Sequence, residues 1–130
     1  MGGRLVPEEY WDAGLGLRNF FENTATVQFN HRALAVSTLC SAGVLWGTFR
    51  GAGLPAAQSA LVRSVFIGAS AQAALGVATL LMHVPVALGS AHQAGALAVM
   101  SVTVALLHSL RSPAAVAAAA QRLAASGLKV

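Results

Sequence analysis

Apolar positions along this chain fall into three long runs, at 26–49, 58–82 and 85–110, separated by short breaks rich in turn formers. Each run exceeds the roughly 20 residues that a helix needs to cross a bilayer. Arg50-Gly51-Ala52-Gly53-Leu54-Pro55 ends the first run and turns the chain. His83-Val84-Pro85 makes a very short connection between the second and third, with Pro85 suited to the first turn of a helix. Arg111-Ser112-Pro113 closes the third. The pattern predicts an all-α fold, a transmembrane helical bundle of three spanning helices with an amphipathic N-terminal surface segment. It divides into an interfacial segment at 1–25, a three-helix unit at 26–111 and an Ala-rich tail at 112–130. The tail carries Gln121, Arg122 and Lys129 and reads as a short surface helix.

All four acids, Glu8, Glu9, Asp12 and Glu22, lie in residues 1–25, interleaved with Tyr10, Trp11, Phe20 and Phe21. That mixture fits a segment lying at the membrane surface, with rings at headgroup level. In the second run, Gly68, Gln72 and Gly76 recur every four residues beside Ala69 and Ala73. Small residues at this spacing let helices approach closely in lipid, and Gln72 is expected to seek an interhelical hydrogen bond.

Composition strengthens this picture. The 130 residues are 56% hydrophobic and 9% charged, with a mean hydropathy of +0.67, against about 25% charged residues in a soluble domain. The net charge is +4, but the eight basic residues are scattered and form no cluster with interleaved aromatics, so no nucleic-acid surface is expected. One cysteine, Cys40, excludes an internal disulfide, and there is no CxxCH for covalent haem attachment. The first residues, Met1-Gly2-Gly3-Arg4-Leu5, lack the apolar core of a signal peptide and the look of a transit peptide. Arg50 and Arg63 flank the first turn, and Arg111, Arg122 and Lys129 follow the third run. The positive-inside tendency therefore places those ends on the cytoplasmic or matrix side.

The chemistry centres on two histidines. Val27-Gln28-Phe29-Asn30-His31-Arg32 and Gly89-Ser90-Ala91-His92-Gln93-Ala94-Gly95 each set one imidazole a short way into an apolar run. An ionisable group at membrane depth is costly without a partner and marks a functional site by default. Helices one and three run in the same direction, and His31 and His92 lie at depths that differ by only a few ångströms at about 1.5 Å rise per residue. His31 shares its face with Leu34, Ala35 and Thr38, and His92 shares its face with Gly95, Ala96 and Val99. Small residues there leave room for something flat, which points to a haem iron held between two imidazoles as a metal site. The residues equally admit histidines that only hydrogen-bond across helices. Zinc is disfavoured, because two histidines supply half the usual four ligands. Arg32 is read either as a partner for a haem propionate or as a snorkelling cation. His83 is read as a loop residue and His108 as an interface residue.

At these residues the chain resembles the haem A synthase family. The stretches Asn19-Phe20-Phe21-Glu22-Asn23-Thr24-Ala25-Thr26-Val27-Gln28-Phe29-Asn30-His31-Arg32 and Val84-Pro85-Val86-Ala87-Leu88-Gly89-Ser90-Ala91-His92-Gln93-Ala94-Gly95-Ala96-Leu97 carry the likeness. The region between Gln72 and Leu81 looks like the intervening helix. Family members consist of two similar helical halves, each with such a histidine pair. One half oxidises a methyl group of haem O to the formyl of haem A, and the other holds haem b. This chain resembles the C-terminal, haem b half, with three of its four spans. The catalytic half has a glutamate three residues before its first histidine; here that position is Gln28, and an amide cannot serve as the acid or base that a carboxylate can.

The resemblance thus implies haem b binding through His31 and His92 and no self-sufficient oxidation; the spacing of the residues places Arg32 and Gly95 at the cofactor as well. It implies a second polypeptide that completes the pocket, or a place in a larger respiratory complex, with membrane lipid around it. The leading expectation is the cofactor half of a haem A synthase passing electrons to a catalytic partner in the mitochondrial inner membrane, or alternatively a bacterial plasma membrane. The competing expectation is a structural respiratory subunit whose catalysis has been lost. A three-span haem b anchor for a soluble dehydrogenase is allowed by the architecture and disfavoured by the resemblance.

Overall fold

A computed structural model describes residues 6–111 and 113–125, with backbone only at 113 and 115. The reading of residues 1–5 and the expected basic residue Lys129 lie outside the described residues. Among the described residues every regular element is a helix. Two single 3-10 turns, Glu8–Tyr10 and Gly16–Arg18, precede a short α1 (Asn19–Glu22). Three long helices follow, α2 (Thr24–Phe49), α3 (Ala56–Leu81) and α4 (Val86–Leu110), and then α5 (Pro113–Ala125). The long helices start and stop within two residues of the three apolar runs.

Helices α3 and α4 are long and apolar enough to cross a membrane. Only 17% and 6% of their most apolar stretches is buried by the rest of the chain, the exposure that suits a lipid surround better than the core of a soluble domain. Helix α2 equals them in length but carries Gln28, Asn30, His31 and Arg32 in its early turns.

The chain divides into two compact units, Met1–Thr38 and Leu39–Val130, with the division inside α2. The first is organised by hydrogen bonds. Asn23 caps α2: its Oδ1 accepts from the backbone N–H of Ala25 at 3.0 Å and of Thr26 at 3.4 Å, satisfying donors that a helix start leaves open. Its Nδ2 donates to Glu9 O at 2.8 Å and to Asn19 Oδ1 at 3.0 Å. Asn19 is fully buried; its Nδ2 donates to Asp12 O and Gly16 O, and its Oδ1 accepts from the Asp12 N–H. Thr26, also fully buried, donates its hydroxyl to Tyr10 O. The Tyr10 ring meets Phe29 edge-on at 5.3 Å, and its hydroxyl donates to Asn30 Oδ1 at 3.3 Å. The polar lead-in is therefore folded onto the first turns of α2. Its apolar groups point outward: Phe21 is 85% exposed and Leu17 78%, as expected for a segment at a membrane interface.

The second unit packs around Ala42, Val62, Val65, Ala69 and Leu106. Trp46 stacks on Phe66 with ring centroids 5.0 Å apart, and the Arg50 guanidinium sits 5.3 Å from the Trp46 ring, a cation–π contact. Arg122 on α5 donates to Gly53 O at 2.7 Å, tying the tail helix to the turn after α2. The α3–α4 turn is tighter than its sequence favours. His83 and Val84 adopt φ of 60° and 55°, a region that disfavours a β-branched residue. The Val84 N–H donates to Thr79 O at 2.8 Å, the long bond that closes a helix C-terminus.

Candidate functional site

His92 lies in the second turn of α4, where α4 runs against α3. Its half-buried imidazole rests on Gly76 of α3. A Cβ at Gly76 would stand 2.9 Å from His92 Cε1, 3.5 Å from Nε2 and 3.6 Å from Nδ1. Real Cβ contacts are not that close to ring carbon, so glycine is what admits the ring. Nδ1 is buried in this seat.

One turn before Gly76, the expected interhelical bond of Gln72 is present: Nε2 donates to the backbone carbonyl of His92. The other amide atom, Oε1, fills the space above Gly95, where a Cβ would overlap it. Two turns from Gly76, a Cβ at Gly68 would come within 3.0 Å of Val99 Cγ2. The four-residue spacing of Gly68, Gln72 and Gly76 is thus the line along which α3 meets α4. The room expected at Gly95 is taken by Gln72, and Val99 is packed on Gly68.

His31 belongs to the other unit, in the third turn of α2, and is exposed, as are Arg32, Leu34, Ala35 and Thr38. His83 is exposed in the α3–α4 turn and His108 is exposed in the last turns of α4. The structure therefore brings together His92, Gly95, Gln72 and Gly76, with His31 and Arg32 placed in the separately described first unit. Spacing marked Gly76 and Gln72 as positions of helix approach. It did not mark them as the seat and the backbone partner of His92.

Among the described residues no three His, Cys, Asp or Glu side chains gather as ligands for a bare metal ion. A haem makes a smaller demand, since the porphyrin supplies four nitrogens and the protein one or two axial ligands. A half-buried imidazole fixed on an apolar helix surface fits that demand.

These features define a helical membrane protein with a histidine locked into a close helix–helix contact. The chain belongs to the COX15-CtaA family of cytochrome oxidase assembly proteins, which matches residues 1–104. It is 47% identical over 113 residues to the heme A synthase COX15 of Arabidopsis thaliana, covering 87% of this chain and 25% of that protein. It is 38% identical over 111 residues to the heme A synthase COX15 of Bos taurus, covering 85% of this chain and 27% of the relative. Against the heme A synthase of Paracoccus denitrificans the identity is 39% over 113 residues, covering 87% and 29%. The chain thus spans about a quarter to a third of the length of these curated relatives. No solved structure matches it.

Proposed function

We propose that this chain is a haem-holding, multi-pass membrane unit of haem A biosynthesis, equivalent to the haem b half of a haem A synthase. His31 and His92 would hold one haem b, Arg32 would offer its charge to a haem carboxylate, and Gly95 would serve the site through the clearance it gives Gln72. Helix α2 acts as the third span, with Arg32 snorkelling toward the interface. A haem held there would supply one-electron transfer, and the unit would serve a catalytic half that oxidises haem O to haem A, carried on the same polypeptide or on a second one. The membrane is the mitochondrial inner membrane or a bacterial plasma membrane.

The observation that carries this reading is the family match across both histidine stretches, supported by the seat that Gly76 gives the His92 ring. The test is an optical spectrum with pyridine haemochrome analysis of the protein purified from membranes together with whatever co-purifies. Haem b in a six-coordinate, low-spin state beside a haem A synthase catalytic half is the expected result. Haem-free protein, or a stoichiometric place in an oxidoreductase complex lacking such a half, would overturn it in favour of a structural subunit.

A further inference from the structure

We infer that Gln72 is a positioning residue for His92: it fixes the rotation of α4 against α3 and so sets the plane of the imidazole. The inference rests on the reading of His92 as a haem ligand. Gln72 and Gly76 share one face of α3, and His92 and Gly95 share one face of α4, by their spacings of four and three residues. Across that contact, Gln72 Nε2 donates to the His92 carbonyl while its Oε1 occupies the space over Gly95. A carbonyl has two lone pairs, so His92 accepts this bond in addition to the one from its own helix. The same residue's ring is lodged on Gly76. Backbone and side chain of His92 are thereby held by two adjacent turns of α3.

Packing alone does not require this arrangement. Gly68 meets Val99 one turn before Gln72 with no polar group. A primary amide in an apolar surround is costly unless bonded, which makes its bond directional. Gln72 bonds the backbone of His92 and not its ring, so it acts on the imidazole through the helix that carries it; loss of groups that orient metal-bound histidines typically costs 10–100-fold in metal affinity.

The experiment compares Gln72→Met, Gly95→Ala and Gly68→Ala in the haem-loaded protein purified from membranes, reading thermal stability, haem retention and the low-spin electron paramagnetic resonance signal. Gln72→Met keeps side-chain length and removes the donor; Gly95→Ala displaces the amide; Gly68→Ala strains the same interface away from His92. The inference expects a shifted low-spin signal and about tenfold weaker haem retention in the first two. It expects Gly68→Ala to lose stability with its signal unchanged. Equal stability losses in all three, with one common signal, would reduce Gln72 to interhelical glue and overturn the inference. If Gln72→Met does not assemble, Gly95→Ala decides by the same comparison. A low-spin signal that survives His92→Ala would instead reject the ligand reading underneath.

Discussion

The two units are held together by opposite means. In the first, the chain before α2 is fastened by side-chain hydrogen bonds to backbone, with Asn19, Asn23 and Thr26 at the centre. In the second, α3 and α4 are fastened by the absence of side chains at Gly68, Gly76 and Gly95, with one amide between them. The difference follows from the medium each part is read to occupy. Near an aqueous interface, polar side chains can close an irregular segment provided each buried group finds a partner. In an apolar surround no hydrophobic drive holds two helices together, so close packing and a few directed bonds must do so.

This contrast can be broken most forcefully at Asn19. Asn19→Ala removes the side-chain bonds to Asp12 O, Gly16 O, the Asp12 N–H and Asn23 Nδ2; the two carbonyls keep the backbone N–H groups of Leu15 and Asn19, the Asp12 N–H loses its partner, and the first unit should be destabilised by about 3 kcal/mol. The two tryptophans report the units separately, Trp11 in the first and Trp46 in the second. In single-tryptophan versions, Asn19→Ala should lower the transition seen by Trp11 and spare that seen by Trp46; equal shifts would deny that the units are distinct. Gly68→Ala should do the reverse, costing about 2 kcal/mol at Trp46 through overpacking on Val99. Asn23→Ala, which removes the cap of α2, should cost about 1 kcal/mol at Trp11. The smallest effect is at the exposed Arg18–Glu22 pair, 2.7 Å apart: Glu22→Gln should change stability by at most about 0.5 kcal/mol and only at low salt.

The long helices were legible because three long, largely apolar runs leave little other choice, and Pro55 and Pro85 directly precede α3 and α4. The folded lead-in was not legible. Its bonds join Glu9 and Tyr10 to Asn23 and Thr26, contacts that hydropathy does not encode, although an asparagine just before an apolar run is a capping signal. At the site, periodicity found the face of α3 that meets α4 and the bonding of Gln72. It could not say where the His92 ring points, because a side chain's direction depends on which neighbour lacks a Cβ, and here that neighbour is Gly76. The expectation of open room beside Gly95 met the same obstacle: spacing shows a gap on one helix and not what the opposite helix puts into it.

The central claim is that one iron is shared by His31 and His92, and separate alanine substitutions at these positions test it most directly. Low-temperature paramagnetic resonance of the purified protein should show the bis-imidazole low-spin signal in wild type and its loss in both His31→Ala and His92→Ala. Retention of that signal in either variant would contradict the account.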